Sequence, residues 1–194
     1  FRTENEYSDS RHPESVNFVS NVAKDLARRD FTVNAMCYNH IDGLLDLFGG
    51  KEDINNKVLK SVGEAKTRFS EDALRILRLF RFAATLDFTI EKNTFNAAIK
   101  CAPSLKNISA ERIFVELQKL ANGTKPYVIS PLLNTGCLDN YYLKNADLNA
   151  ISKLDNKTDL RTFALLNLTS YNLPNTLDSF KCSNSFKDYC LKMN

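Results

Sequence analysis

The hydrophobic pattern divides the chain near residues 64–70. After that point the apolar residues recur at helical spacing. Leu74, Leu77, Phe80 and Ala84 form one stripe, and Ser70 followed by Glu71 and Asp72 supplies a cap and an acidic first turn. This predicts a helix over about 71–86. A second helix is expected over 91–101. Pro103 punctuates, and Ser109 caps a third helix over 110–121, closed by Asn122-Gly123. Further helical stretches are expected over 127–135, which ends at Gly136, and near 148–154, 159–168 and 176–190. Before residue 64 the pattern is mixed. Residues 1–15 are polar and read as a loop, and Val16-Asn17-Phe18-Val19 alternates as a short strand. Asp25 is placed to cap a helix over 26–38. Asp42-Gly43 reads as a tight turn before Leu44-Leu45-Asp46-Leu47. Gly49-Gly50 breaks the chain ahead of a short helix over 52–55 and a strand over 58–62. No repeat recurs at a fixed period.

Composition narrows the class. The 194 residues (22.0 kDa) include 13 Phe and 7 Tyr and are 43% hydrophobic, which excludes a disordered chain. No apolar run approaches the roughly 18 residues of a membrane span. Six Gly and five Pro exclude a collagen-like chain or a Gly/Pro-rich linker. Net charge is +3, divided as −3 over residues 1–50 and +6 over residues 51–194. That basic body suits a polyanion, though the bias alone says little. Cys37, Cys101, Cys137, Cys182 and Cys190 are odd in number and contain no C-x-x-C pair. They point away from a disulfide framework or zinc site and towards a reducing cytoplasm, as buried or inert thiols. His12 and His40 lie far from any cysteine cluster. The chain begins at Phe1 without a charged lead and apolar stretch, so no signal peptide is visible. It reads as a fragment.

Two constellations carry chemistry. In Glu71-Asp72-Ala73-Leu74-Arg75-Ile76-Leu77-Arg78-Leu79-Phe80-Arg81, the residues Asp72, Arg75, Arg78 and Arg81 step by three along one side of the expected helix. One reading is a solvated face with ion pairs of about 0.2–0.5 kcal/mol each. The other is base recognition. A carboxylate accepts from the exocyclic amine of cytosine or adenine while an arginine donates to the adjacent ring nitrogen, and guanine and uracil present the opposite order. Arg78 and Arg81 would then meet phosphates or hold the reading pair. In Asp25-Leu26-Ala27-Arg28-Arg29-Asp30-Phe31-Thr32-Val33-Asn34-Ala35, the residues Arg28, Arg29, Asp30 and Asn34 could hold a triphosphate and ribose. They could equally be the solvated side of an amphipathic helix.

These two stretches, together with Asp46-Leu47-Phe48-Gly49-Gly50 between them, closely resemble bacterial CCA-adding enzymes and poly(A) polymerases, the class II tRNA nucleotidyltransferases. The resemblance covers about residues 1–125. It implies an α+β, mostly α chain: residues 1–63 the C-terminal part of a polymerase-β-like nucleotidyltransferase head, 64–125 a helical neck that recognises the base, and 126–194 a helical body related to RNA binding. It implies that Arg28, Arg29 and Asp30 contact ribose and triphosphate, Arg29 foremost, and that Asp46 to Gly50 is a hinge. Asp72 and Arg75 would form the protein template for CTP and ATP, with Arg78 and Arg81 continuing that surface. Ser109-Ala110-Glu111-Arg112-Ile113 resembles a helix-stabilising neck motif, and Glu4 to Pro13 resembles a segment that carries a mobile loop.

The implied partners are CTP, ATP and a tRNA or other RNA 3′ end, with Mg²⁺ expected of the full-length enzyme and neither a membrane nor an obligate protein partner. The family's Asp-x-Asp metal pair is absent from this chain, so no catalytic residue is assigned and no metal ligand is expected in the fragment. Glu4 is a weak candidate for an auxiliary carboxylate, and Asp9 is no better. The fragment alone is expected to be inactive. A poly(A) polymerase, a CC- or A-adding specialist, a non-catalytic helical RNA-binding module and a helical scaffold remain open.

Overall fold

A computed structural model describes residues 2–7, 13–18 and 22–193. Strands β1 (Arg2–Tyr7) and β2 (Pro13–Phe18) pair antiparallel, from Arg2 opposite Phe18 to Tyr7 opposite Pro13. The loop expected over residues 1–15 is therefore largely a hairpin, because polar residues on a paired ribbon mimic a loop in composition. Glu4 lies on β1. Asp9 and His12 lie outside the described residues.

The helix expected over 26–38 is overturned. Helix α1 runs Val22–Ala27, with Asp25 inside it rather than at its cap. A 3-10 turn follows at Thr32–Asn34, and β3 (Met36–Asn39) already belongs to a hairpin with β4 (Gly43–Asp46). Tertiary pairing overrides the helical pattern. Phe31 bridges to Ser61, Thr32 N donates to Lys60 O at 2.9 Å, and Val62 N donates to Asp30 O at 3.2 Å. The Asp42-Gly43 turn stands as expected, with His40 exposed beside it.

Asp46 then organises the next break. Its carboxylate accepts from the amides of Phe48, Gly50 and Lys51 at 3.3, 2.9 and 2.8 Å, ahead of α2 (Gly50–Asn55). These amide bonds, led by Lys51, hold its carboxyl below the usual range despite some burial. Gly50 is required by proximity, since an added Cβ would collide with the Thr32 carbonyl oxygen. The strand expected over 58–62 shortens to β5 (Val58–Leu59), which pairs in parallel with β6 (Thr89–Ile90).

The single helix expected over 71–86 is two. Helix α3 (Ala65–Glu71) is capped by Glu64, whose side chain accepts from the amides of Lys66 and Thr67. Ser70 is not the cap; its hydroxyl donates back to Lys66 O at 2.9 Å. Asp72 is extended (φ −147, ψ 105), and α4 (Leu74–Leu86) starts after it. Helix α4 is the core of the fold. It buries Leu74, Ile76, Leu77, Leu79, Phe80, Ala83 and Ala84, a broad stripe at i, i+3 and i+4.

Helix α5 (Lys92–Cys101) packs on α3, and α6 (Ala110–Ala121) packs on α4. Both match expectation, although the Ser109 side chain makes no capping bond. The expected 127–135 helix is a 3-10 turn at Pro126–Ile129 running into α7 (Ser130–Leu133). Near 148–154 only Ile151–Lys153 forms a 3-10 turn. Helix α8 (Thr158–Thr169) packs on α6. The expected 176–190 helix is α9 (Leu173–Ser179) and α10 (Asn184–Met193). It breaks where Lys181 turns left-handed (φ +52) and Cys182 N reaches back to Leu177 O at 3.1 Å. Cys182 and Cys190 are buried, which pushes their thiols up to about 11 and about 12, as suits inert packing residues. The chain is thus α+β and mostly α. Among the described residues no helix is long and apolar enough to cross a membrane.

Candidate nucleotide-binding site

The turn after α1 and the break before α4 face each other across a cleft of about 220 Å³, lined by Arg28, Arg29, Asp30, Asp72, Leu74, Arg75, Arg78 and Arg112. Five guanidinium groups thus share a small open space with two carboxylates. Such surplus positive charge, arranged as planar donor forks, matches a polyphosphate.

Each charged group has a partner already. Asp25, buried on α1, accepts from Arg28 Nε and Nη2 at 3.1 and 2.6 Å and from Arg29 Nη2 at 3.0 Å. Burial opposes its ionisation, but the bonds from Arg28 and Arg29 outweigh it and hold the carboxyl below the usual range. Asp30 accepts from Asn34 Nδ2 at 2.7 Å and from Arg78 Nε at 2.6 Å. Here too burial is the largest influence and raises the pKa, yet the Arg78 charge and the two hydrogen bonds win and depress it.

Asp72 closes the break between α3 and α4. Its Oδ1 accepts from Leu74 N at 3.0 Å and its Oδ2 from Arg112 Nη2 at 2.8 Å. Arg75 Nη1 donates to Glu71 Oε2 at 2.6 Å and Arg68 O at 3.1 Å, and Nη2 donates to Arg28 O at 3.1 Å. Through that last bond Arg75 fixes the backbone of the Arg28-Arg29-Asp30 turn.

Six of the eight residues expected at the site line the cleft. Asn34 does not; it stands behind, bonded to Asp30 and accepting from Phe31 N at 3.3 Å. Arg81 does not either. It lies beside Arg78 on α4 but pairs with buried Glu116, with Nε and Oε2 2.7 Å apart but not aligned as a hydrogen bond. Its guanidinium carbon sits 3.8 Å from the Phe82 ring centroid. Burial lowers its pKa against the opposing pull of Glu116. The expected stripe of Asp72, Arg75, Arg78 and Arg81 is therefore broken at both ends, because Asp72 precedes the helix and Arg81 has turned towards α6. Of the two lining residues outside the expected set, Leu74 and Arg112, only Arg112 is charged. Its local sequence reads as helix, and its partner lies 40 residues away. Among the described residues no group of three or more His, Cys, Asp or Glu is placed to hold a metal.

Known proteins resemble this chain in sequence and in fold. The family model of the poly A polymerase head domain matches residues 1–60, and that of the probable RNA and SrmB-binding site of polymerase A matches residues 87–141. Together they cover more than half of the chain. The CCA-adding enzyme of Streptococcus sanguinis (strain SK36) is 52% identical over 120 residues, 62% of this chain and 30% of the relative. That of Lactococcus lactis subsp. cremoris (strain MG1363) is 50% identical over 125 residues, 64% of this chain and 31% of the relative. Among solved structures, the Bacillus stearothermophilus CCA-adding enzyme in complex with CTP superposes with a TM-score of 0.77 at 32% identity, covering 92% of this chain and 48% of that one. The Thermotoga maritima CCA-adding enzyme complexed with tRNA shares the fold, with a TM-score of 0.69 at 24% identity over 89% of this chain and 48% of that one. The chain spans about a third of the length of these curated relatives and about half of these solved chains.

Proposed function

The chain belongs to the class II CCA-adding enzyme family, and on that premise we propose that it carries the nucleotide-selecting part of a template-independent RNA nucleotidyltransferase. That enzyme adds C and A to tRNA 3′ ends from CTP and ATP. The observation that supports this most directly is the cleft, where the residues expected to hold triphosphate, ribose and base meet although they come from two separated stretches of chain.

In this proposal Arg28 and Arg29 take the triphosphate, exchanging part of their bonding to Asp25 for phosphate oxygens. Asp30 sits at the ribose, oriented by Asn34 and Arg78. Asp72 and Arg75 read the base. Each Asp72 oxygen has one donor among the described residues and keeps a lone pair for an exocyclic amine. Arg75 has spent both Nη1 hydrogens and one on Nη2, which leaves Nε–H and one Nη2–H for a ring nitrogen or carbonyl. Arg81 serves the packing of α4 on α6 rather than the nucleotide. The domain division proposed is a head portion to residue 63, a base-reading neck to residue 125 and an RNA-related body beyond it. The compartment proposed is the cytoplasm.

The described residues do not fit the Mg²⁺ ion expected of the full-length enzyme. They offer no metal cluster, and Asp30 and Asp72 are each bound to arginine. In the proposal the ion belongs to other residues of the whole protein.

Calorimetric titration of the chain with CTP, ATP, UTP and GTP tests the reading. CTP and ATP should bind, and Asp72→Ala and Arg75→Ala should each weaken them about tenfold or more, the scale of a lost charged hydrogen-bond pair. Equal binding of all four nucleotides would remove base reading from Asp72 and Arg75. With the whole protein, a tRNA product that ends at CCA supports the assignment, and one that runs on with A moves it to a poly(A) polymerase.

A further inference from the structure

A second cleft, of about 350 Å³, opens between α6, α8 and α10 and has a different chemistry. Its walls include Phe114, Gln118, Asp159, Ser183, Phe186 and Tyr189. Three of these form an aromatic wall, in which the Phe114 and Phe186 rings are tilted by 58°. Phe114 and Phe186 have ring centroids 5.9 Å apart, and Phe186 stacks on Tyr189 at 6.4 Å and 21°. Phe163 braces Tyr189 edge-on at 6.4 Å. Beside this wall stand the Gln118 amide and the Asp159 carboxylate. Among the described residues neither makes a side-chain hydrogen bond or ion pair. Ser183 is committed to α10, its Oγ accepting from Phe186 N at 3.3 Å. Helix α6 serves both clefts: at about 100° per residue, Phe114 stands about 200° round from Arg112.

No lysine or arginine lines this cleft, so a phosphate or triphosphate is a poor match, and Asp159 would repel it. An apolar ligand would leave the carboxylate and amide without partners. A planar ring with polar edges satisfies every wall. We propose that the cleft takes one unpaired nucleobase of an RNA strand, stacked on one ring of the Phe114–Phe186–Tyr189 wall. Asp159 accepts from the exocyclic amine of the base, and Gln118 meets its neighbouring edge atom. The base must be unpaired, because stacking on a protein ring and reading by its edge both need it splayed out of a helix. The volume suits one nucleoside, at the low end of small-ligand clefts. A carboxylate can only accept, so adenine, cytosine and guanine qualify through their exocyclic amines, while uracil has none and flanks its N3–H with two carbonyl oxygens that the carboxylate repels. The inference deepens the RNA-partner reading above by adding a base-reading contact remote from the arginine cleft.

The test is fluorescence anisotropy of labelled rA, rC and rU octanucleotides with the full chain, alongside calorimetry of CTP on the same preparations. Wild-type protein should bind rA and rC about fivefold or more tighter than rU. Gln118→Ala and Tyr189→Leu should weaken rA and rC binding severalfold. Asp159→Asn should bring rU within about twofold of rC, since an amide donates to uracil carbonyls as well as accepting. Asp159 is exposed and Gln118 half-buried without bonds, so substitution leaves the fold intact. Wild-type binding that is absent, or equal for all three RNAs, overturns the proposal. So does an Asp159→Asn profile identical to wild type. Loss of CTP binding with the RNA pattern intact would sink the proposed function and leave this cleft standing. Intact CTP binding with no RNA pattern would sink the cleft alone.

Discussion

Arg112 Nη2 donates to Asp72 Oδ2 at 2.8 Å across 40 residues of chain, tying α6 to the break between α3 and α4. Both side chains are about a quarter exposed, so the pair contributes only about 0.5–1 kcal/mol to stability. Its larger effect is on direction, because Arg112 fixes which way the free lone pairs of Asp72 point. Arg112→Ala should therefore leave the melting temperature nearly unchanged while CTP preference over UTP falls about tenfold, roughly 1.4 kcal/mol of discrimination. Arg112→Lys should keep part of the preference. Competitive calorimetry with the two nucleotides measures both variants.

Asp30 links the two sides of the same cleft through Arg78, and the link depends on pH. The folded pKa of Asp30 is depressed below its unfolded value of about 4. The stabilisation is thus fully present above about pH 4 and is lost as pH falls through the lower folded value. Wild-type stability should hold level above about pH 5 and drop below about pH 4. Asp30→Asn should lower stability by about 2 kcal/mol at neutral pH and flatten the acid limb, so the two curves converge in acid. Urea titrations between pH 2 and pH 7 read this difference. Parallel curves would show that the Asp30–Arg78 pair carries none of the acid limb.

The contrast between these two pairs marks how much of the site was legible in the sequence. Local signals served well where a motif makes its own bonds. The Asp42-Gly43 turn and the helix over Ala110–Ala121 were readable because their determinants lie within a few residues. Long-range contacts were invisible. Phe31 and Thr32 leave the helical pattern to pair with Ser61 and Lys60. Asp72 leaves helical geometry for an extended turn in which it bonds Leu74 N and Arg112, so a helix expected to be continuous is divided. Arg81 looked equivalent to Arg78 at spacing three, yet it pairs with buried Glu116 of α6 instead of lining the cleft. Spacing places a side chain on a helix face; only the neighbouring helix decides what that face meets.

Gly123 shows a second long-range constraint. A Cβ there would stand 2.7 Å from Ala84 C and 2.8 Å from Ala84 O, both backbone atoms of α4. The same Ala84 carbonyl accepts from Thr124 N, Thr124 Oγ1 and Lys125 N at 2.8, 2.9 and 3.1 Å. The end of α6 is thus latched to α4 where no side chain fits between them. Gly123→Ala should destabilise the chain by about 1–3 kcal/mol, the cost of overpacking. Gly63→Ala is the useful comparison. Its positive φ (+65) carries backbone strain, but an added Cβ meets nothing within 4 Å. Both variants should lose stability, and only Gly123→Ala should also speed amide exchange at Thr124 and Lys125.

Arg161 organises the junction of α6 and α8, and among the described residues it has no acidic partner. It is 9% exposed, and its guanidinium donates to five backbone carbonyls. Nε reaches Asp155 O at 3.3 Å, Nη1 reaches Asn122 O and Gly123 O at 3.4 Å each, and Nη2 reaches Ser152 O and Leu154 O at 3.3 and 2.8 Å. The fork thereby gathers the end of α6, the 3-10 turn at Ile151–Lys153 and the approach to α8. Arg161→Met would roughly keep the volume but strip all five carbonyls of a donor at once. Buried acceptors left unpaired cost about 1–3 kcal/mol each when water cannot replace the donor. Partial rehydration near the Asp155 loop should limit the total to about 3 kcal/mol. For a chain of this size that lowers the melting temperature by about 6–12 °C. Arg161→Lys should recover little, because a single ammonium with three hydrogens cannot span the same fork. Calorimetric melting of the two variants measures the effect. A Lys variant as stable as wild type would show that charge, rather than the planar array of donors, holds the junction.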